Sequence, residues 1–360
     1  MKKWLAILAS LILCVGILGG CSDGGSTTAP ADGDSQAAGD GQTSSETQAP
    51  AGSAAYNLRF AYTLATDHDL SKAFEKFAAE VLEATDGNVQ ITTFPAGSLG
   101  TQPENLESVM LGSLDMCYAD TSMLVTYVPE YTLINLPWLI TSFETADEIF
   151  YESDIVDQLD AILAEKMNMT NIGWVYQGFR AFCTTMPLTG KADCQGVKLR
   201  SPETQIYLDT FSMMGFTPTV ITWTEAYTAM QSGVVDGVDT VKSSIDSYGF
   251  YEIGKYVWNS NHMFSSVGIV MNNTVLAGLP EEYQQAIKDC WANVSKEFNQ
   301  SVKDQDAYYI DRFEELGATV TYTADEAEFR DTFHDYWYQS AETNGYKELL
   351  DDMMAIVEKH

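Results

Sequence analysis

Apolar and polar residues alternate with two different periods in the part of the chain that follows residue 56. Residues 57–65, NLRFAYTLA, alternate with the period of a strand, whereas the apolar residues of 71–85 recur at helical spacing. A strand at 89–95, a helix at 103–113 and a short apolar strand at 114–120 follow. Because strands and helices take turns, the pattern predicts a parallel sheet with crossover helices.

The same alternation returns later in the chain. It predicts strands at 171–184, 196–202, 217–222 and 234–241, a helix at 206–215, and a helix at 224–233 with Thr224 as its N-cap. Residues 280–316 have no internal glycine or proline, so one helix of roughly 55 Å could bridge two lobes. A break near Asn299 is the alternative. Residues 56–360 are long enough for two α/β lobes.

The sequence of the first 55 residues predicts a targeting segment followed by a tether. Residues 1–20 begin with two lysines and continue with an apolar run, and Leu18-Gly19-Gly20-Cys21 resembles a bacterial lipobox. This predicts a lipoprotein signal peptide, cleavage before Cys21 and a lipid on its sulfur; an uncleaved helical anchor is the alternative. Residues 21–55 hold mostly Gly, Ser, Thr, Ala and Asp, which predicts a flexible tether.

The charge of the chain excludes one class of partner. Lys and Arg number 19 against 51 Asp and Glu, for a formal net charge of −32. Nucleic-acid binding rests on neutralising phosphates with basic side chains, so nucleic acid is not expected as a partner. The simplest explanation of the acidity is solubility. Beyond the N-terminal segment, no apolar run approaches the ~18–20 residues that span a bilayer.

Motifs of enzymes and metal sites are missing. The sequence has no GxSxG, HExxH, P-loop or GxGxxG, so we expect no catalytic step and no cofactor. No CxxC or Cys/His cluster is present, so no metal site is expected. Cys183 and Cys194 flank a ten-residue loop, and a disulfide between them is left open. Asp236 and Asp239 are interpreted as turn and capping residues. An extracellular hydrolase would need a nucleophile–base pair or metal ligands, and neither is found.

Two arginines stand out in so acidic a chain. Arg180 and Arg200 both lie in strand-like stretches, where the direction of a side chain is well defined. A guanidinium offers a planar fork that matches a carboxylate and stays charged when desolvated. Two arginines that face one cleft would bind a small organic anion; the alternative is that each forms a structural ion pair with an acidic side chain. Trp223 and Asp120 fall with Arg200 at carboxyl ends of strands, where ligands of open α/β sheets bind.

Several spaced motifs agree with one known family. The segments are TDGNVQITTFPAGSLG (85–100), LGSLDMCYAD (111–120), YTLINLPWLI (131–140), GFR (178–180), CQGVKLRSPET (194–204), WTEAYTAMQSGVVDGVDT (223–240) and NHMFSSVGIVMNN (261–273). In this order they resemble the substrate-binding proteins of TRAP transporters, the DctP-like family, over about residues 57–350. The resemblance implies a periplasmic-binding-protein-like α/β fold of two lobes, with the ligand cleft between them and a long helix that bridges both.

The resemblance also implies roles for three large side chains. The arginine of the K-hydrophobic-R-x-P motif forms a salt bridge with the ligand carboxylate in that family, and it matches Arg200. The arginine of the G-x-R motif matches Arg180, which implies a second contact to the ligand. The aromatic residue ahead of S/T-E-x-Y matches Trp223, which is expected to form a wall of the pocket.

Smaller polar positions complete the implied site. Asp120 matches an acidic position whose partners are ligand hydroxyl or amino groups, Thr63 matches a polar position at the end of the first strand, and His262 matches a histidine near the pocket. Three positions depart from the family pattern: Thr240 stands where an asparagine often contacts the ligand, Val241 replaces a proline, and Ser201 replaces a usual valine. These changes leave the arginines intact but do not transfer a named substrate.

The family resemblance as a whole implies that the chain is a two-lobed receptor for a small molecule. Lobe 1 is expected at about 56–177 with a return after about 262, and lobe 2 at about 178–261. The resemblance implies an extracytoplasmic protein, held to the cell membrane through Cys21, that captures a small organic acid and delivers it to TRAP permease subunits. The alternative is an ABC-type or sensor-linked solute-binding lipoprotein for a sugar or an amino acid.

Overall fold

Strands and helices alternate along the chain in the computed structural model, which describes residues 54–324 and 326–360. The strands are β1 (Tyr56–Ala61), β2 (Val89–Phe94), β3 (Met116–Asp120), β4 (Met169–Thr184), β5 (Lys198–Ser201), β6 (Thr217–Val220), β7 (Gly237–Val241), β8 (Tyr256–Asn259), β9 (Phe264–Asn272) and β10 (Thr319–Tyr322). The predicted signal peptide, Cys21 and nearly all of the predicted tether lie outside the described residues.

The helices surround these strands. They are α1 (Asp69–Ala84), α2 (Gln102–Met110), α3 (Thr121–Leu124), α4 (Phe143–Asp147), α5 (Ile155–Met167), α6 (Gln205–Met214), α7 (Trp223–Gln231), α8 (Lys242–Ser247), α9 (Phe250–Ile253), α10 (Asn273–Ala277), α11 (Glu281–Glu315), α12 (Glu326–Asn344) and α13 (Lys347–Val357). Short 3-10 helices form at Pro129–Asn135 and Lys191–Cys194, and a π-helical turn at Glu148–Glu152. Within the described residues, no helix is both long and apolar enough to cross a bilayer.

The strands form two half-sheets that share β4. In the first, the order is β2-β1-β3-β9-β4, with β1 parallel to β2 and β3 and with β9 antiparallel to both of its neighbours. In the second, β5 lies parallel to β6 and β7, while β4 runs antiparallel to β7 and β8, and β10 continues from β8. The parallel β1-β2-β3 unit confirms the crossover arrangement that the alternating pattern predicts.

Strand β4 passes from one half-sheet to the other at the site. Phe179 still pairs with Phe264 of β9, whereas Arg180 pairs with Val241 of β7. A register shift between Tyr176 and Gly178 precedes the crossing, and Gly178 has φ +92°. A bulge of this kind bends a strand and turns its side chains, so the crossing sets the direction of Arg180.

Helix α11 is continuous over 35 residues, so the break considered near Asn299 does not occur. Asn299 is buried, and its side chain accepts a hydrogen bond from the Tyr176 backbone N–H (2.7 Å) and donates one to the Tyr151 hydroxyl (2.6 Å). Because these partners lie outside the helix, the asparagine does not compete for the helix backbone. Earlier in α11, Trp291 packs against Phe74 and Phe77 of α1 and anchors the helix to the first half-sheet.

One local expectation is corrected and one open question is answered. Helix α7 begins one residue earlier than predicted, and its N-cap is Thr222 in place of Thr224; the Thr222 hydroxyl donates to Glu225 at 2.8 Å. Cys183 and Cys194 do not form a disulfide: both are buried free thiols, and their sulfurs donate to the carbonyls of Gly254 and Gly190.

Candidate ligand-binding site

A cavity of about 150 Å³ lies between the two half-sheets. The first half-sheet contributes the ends of β1 and β3 and the start of α2, and the second contributes β5, the β6–α7 turn and β7. Strand β4 adds Gln177 and Arg180 where it crosses. Six of the seven residues that the sequence predicts for ligand binding line this cavity, namely Thr63, Asp120, Arg180, Arg200, Trp223 and Thr240.

Arg200 is buried in the wall of the cavity without an acidic partner. Its side chain is 5% exposed, its Nε donates to the Ile221 carbonyl at 2.9 Å, and its guanidinium carbon lies 5.4 Å from the centre of the Trp223 ring. Within the described residues, neither Nη1 nor Nη2 donates a hydrogen bond, and no carboxylate lies within ion-pair distance. Desolvation, together with the positive charge of Arg180, lowers the pKa of Arg200 to about 10, so it stays charged at neutral pH.

Arg180 is held by a buried carboxylate. Its Nε donates to both carboxylate oxygens of Asp239 at 3.0 Å, and its Nη2 donates to Oδ2 at 2.6 Å and to the Asp239 carbonyl at 3.0 Å. Burial alone would raise the pKa of Asp239, but Arg180 and His262 lower it to about 2. Burial also opposes the charge of Arg180, yet the Asp239 carboxylate raises its pKa. The pair is therefore ionised and fixed in direction.

His262, the seventh predicted residue, is fully buried behind the cavity and is not among the residues that line it. Its Nε2 lies 3.0 Å from Asp239 Oδ1, and its Nδ1 lies 2.7 Å from the Ser260 hydroxyl. The ring stacks on Phe182 with centroids 4.2 Å apart. Desolvation lowers the pKa of His262, so the ring is neutral at pH 7 and reaches the cavity only through Asp239.

Asp120 lies on the opposite half-sheet from Arg200, at the carboxyl end of β3. It caps the short helix α3: its Oδ1 accepts from the Ser122 backbone N–H at 2.9 Å and from the Ser122 hydroxyl at 2.6 Å. Within the described part of the chain, its Oδ2 accepts no hydrogen bond. Thr63 follows β1 and Thr240 lies in β7, and both are buried in the cavity wall.

The sequence interpretation missed three residues at the site. Tyr207 lies in the first turn of α6, and the Arg180 guanidinium carbon lies 4.9 Å above its ring. Tyr118 precedes Asp120 in β3 and lines the cavity. Asp239 is the ion-pair partner of Arg180, not a turn or capping residue. The sequence does contain a signal for Asp239, which is an acidic residue inside the apolar strand GVDTV. Burying a carboxylate without a cationic partner costs free energy, so such a residue indicates a buried ion pair.

This geometry suits a carboxylate. Arg200 presents free N–H donors in a partly desolvated wall, where charge-assisted hydrogen bonds to a carboxylate are strong. Within residues 54–324 and 326–360, no group of three or more His, Cys, Asp or Glu side chains is arranged to hold a metal ion.

Comparison with known proteins agrees with the fold and identifies the family. Residues 60–344 match the family DctP, described as "Bacterial extracellular solute-binding protein, family 7". The sialic acid-binding periplasmic protein SiaP of Vibrio cholerae is 27% identical over 248 residues, which cover 69% of this chain and 77% of that protein.

Solved structures resemble more than four-fifths of the chain. A TRAP periplasmic solute binding protein from Chromohalobacter salexigens with bound D-glucuronate has a TM-score of 0.79 at 24% identity, covering 83% of this chain and 99% of that one. The sugar acid binding protein DctPAm from Advenella mimigardefordensis, in complex with galactonate, has a TM-score of 0.79 at 23% identity, covering 84% and 98%. These likenesses confirm the predicted α/β fold of two lobes.

Proposed function

Because the chain belongs to the bacterial extracellular solute-binding protein family 7, the DctP family of TRAP-transporter receptors, we propose that it captures a small organic acid outside the cytoplasm and delivers it to a TRAP permease. Members of this family are binding proteins for transport and not enzymes. The relatives named above bind sialic acid, D-glucuronate and galactonate, all of which carry a carboxylate, and this supports an acid as the ligand.

The observation that carries the proposal is the unpaired, buried guanidinium of Arg200. A buried charge is costly unless it is paired, so a protein keeps one only where a partner arrives from outside. The two free nitrogens of Arg200 match the two oxygens of a carboxylate, and the Trp223 ring beside them excludes water. Arg200 therefore serves as the main carboxylate contact.

The remaining residues take supporting roles in this proposal. Arg180 adds a second cationic contact through Nη1, which its bonds to Asp239 leave available. His262 acts as a positioning residue, because it contacts Asp239 and not the cavity. Trp223 forms a wall, while Thr63, Thr240 and Asp120 bond the polar groups of the ligand.

Capture requires the two lobes to close and open. We place lobe 1 at about 56–177 with a return after about 262, and lobe 2 at about 178–261, so that the crossing of β4 near Gln177–Arg180 serves as a hinge. Tyr248 of lobe 2 accepts a hydrogen bond from the Ala65 N–H of lobe 1 at 3.0 Å, a contact that would hold the closed form. A lipid on Cys21 and the tether 21–55 would keep the receptor at the outer face of the membrane.

A thermal-shift screen of the purified protein tests the proposal. A ligand that binds only the folded state raises the melting temperature according to its concentration over its Kd. Organic acids, sugar acids, sugars and amino acids form the panel, and calorimetry measures the affinity of each hit. The Arg200→Ala variant should bind the acid at least 100-fold more weakly, because each lost hydrogen bond to a charged group is worth about 1.5–3 kcal/mol.

A matched variant separates the role of Arg200 from a general effect of charge. Arg330 is exposed on α12 and does not line the cavity, so Arg330→Ala should leave the affinity within a factor of two. An Arg200→Ala variant that melts normally and still binds the acid with nearly unchanged affinity would refute the proposed contact. A panel in which neutral sugars bind and acids do not would refute the organic-acid receptor.

A further inference from the structure

The charges of the cavity are balanced before a ligand enters. Two cations, Arg180 and Arg200, are the only lysine or arginine side chains among the described residues that line it. Two carboxylates accompany them, Asp120 in the lining and Asp239 directly behind Arg180. Glu203 also lines the cavity, but it is exposed, so water screens its charge.

The other titratable groups that face these charges are neutral at pH 7. Burial raises the pKa of Tyr118 and of Tyr207 well above the ordinary range, and desolvation lowers the pKa of His262. A ligand with one carboxylate therefore brings the cavity and its backing residues to one net negative charge. A second carboxylate would add another negative charge in the same desolvated space, where repulsion between like charges is strong.

The Asp120 carboxylate is the group that would repel a second carboxylate of the ligand. It lines the same cavity as Arg200 from the opposite half-sheet, so a ligand that is bound to Arg200 and spans the cavity brings its far end to Asp120. Its Oδ1 is occupied by the two donors of Ser122, and among the described residues its Oδ2 has no donor, so this oxygen is left to accept from a ligand. An ionised carboxylate can only accept hydrogen bonds, so it favours a hydroxyl group at the far end of the ligand and opposes a second carboxylate.

We propose that Asp120 is a specificity-determining residue that limits this site to hydroxylated acids with a single carboxylate and rejects the dicarboxylates of the same length. The inference rests on the proposed receptor function, since it needs the first carboxylate to bind Arg200. Other lining residues support it, because Thr63, Gln177 and Thr240 offer hydroxyl and amide groups, while the described lining holds no cation beyond the two arginines.

Matched ligand pairs test the inference. Each pair shares its carbon chain and differs only at the far end: D-galactonate with galactarate, D-gluconate with D-glucarate, and 4-hydroxybutyrate with succinate. Calorimetry on the purified full chain should show that the hydroxy acid of a binding pair binds at least tenfold more tightly than its diacid. The Asp120→Asn variant keeps the size and the Ser122 acceptor, removes the charge, and should reduce this ratio at least tenfold, mainly by tightening the diacid.

Glu83→Gln is the control, because it removes a carboxylate from an exposed position of α1 that does not line the cavity and should leave the ratio unchanged. A diacid that binds as tightly as its hydroxy acid, or a ratio that Asp120→Asn leaves unchanged while the variant melts like the parent, would overturn the role of Asp120 and leave the receptor function standing. Should Asp120→Asn fail to fold, Asp120→Ser with its short capping hydroxyl replaces it in the same comparison. If no acid of either kind binds, the proposed function itself fails.

Discussion

The buried pair of Arg180 and Asp239 makes a strong prediction about stability. Asp239→Asn keeps the shape of the side chain but removes the charge that accepts hydrogen bonds from Arg180 Nε and Nη2 at 2.6–3.0 Å. Arg180 is 6% exposed and Asp239 is 0% exposed, so water cannot replace the lost partner. Removing one member of a buried pair typically costs about 3–5 kcal/mol, and we expect a loss in this range.

Urea unfolding of the ligand-free protein, followed by tryptophan fluorescence, measures this loss. The partly exposed pair of Arg312 and Asp246, with Nε and Oδ1 2.7 Å apart, provides the control, and Asp246→Asn should cost far less. Replacing both buried partners, as Arg180→Met with Asp239→Leu, should recover a substantial part of the stability, because no charge is then left unpaired. A loss below about 1 kcal/mol for Asp239→Asn, or a double variant as unstable as the single one, would refute the reasoning.

Two further predictions concern the fold around the site. Burial lowers the pKa of His68 to about 4. Between about pH 6.5 and pH 4 the His68 ring is therefore protonated in the unfolded chain but not in the folded chain, so the free energy of unfolding falls as pH drops through this range. His68→Asn keeps an acceptor for the Leu70 N–H at the start of α1, and its urea midpoint should depend less on pH; parallel pH profiles would contradict this. Gly173→Ala would set a Cβ 2.8 Å from Trp291 Cδ1 and would strain a backbone with φ +145°, so it should cost about 1–3 kcal/mol in thermal unfolding. Gly190→Ala, with an extended backbone and nothing within 4 Å, should be close to neutral; equal losses would contradict this argument.

Much of the architecture follows from local patterns that the sequence displays directly. Strand and helix periods locate β1, α1, β2, α2 and β3, and the absence of glycine and proline predicts the long helix α11. The question of a break near Asn299 was decided by tertiary structure, since its partners come from Tyr151 and Tyr176. Local sequence does not reveal such partners, because they lie more than 100 positions away.

The candidate site shows more clearly which features local sequence predicts and which depend on tertiary structure. Arg180 and Arg200 look alike in the sequence, as arginines in strands, and each was open to interpretation as a ligand contact or as a structural ion pair. In the structure Arg180 has a carboxylate partner and Arg200 has none. The chain holds 51 acidic residues, so composition could not tell which one pairs with Arg180. The pairing depends on β4 lying beside β7, which is a property of the assembled sheet.

The charge of the whole chain acts on an acid ligand in a different way from the charge of the cavity. The formal net charge of −32 repels an anion from a distance, while the free guanidinium of Arg200 attracts it only at short range. The screening length shrinks from roughly 30 Å at 0.01 M salt to roughly 8 Å at 0.15 M, so added salt weakens the distant repulsion before it affects a buried contact.

The association rate of an acid ligand should therefore rise as salt increases from 0.01 to 0.15 M, which is opposite to the usual fall for oppositely charged partners. The dissociation rate should change little, because the contact with Arg200 is made in a buried wall where screening is weak. Stopped-flow tryptophan fluorescence with any acid from the thermal-shift panel measures both rates. An association rate that falls with salt would show that attraction by the site reaches beyond the cavity and dominates the field of the acidic surface.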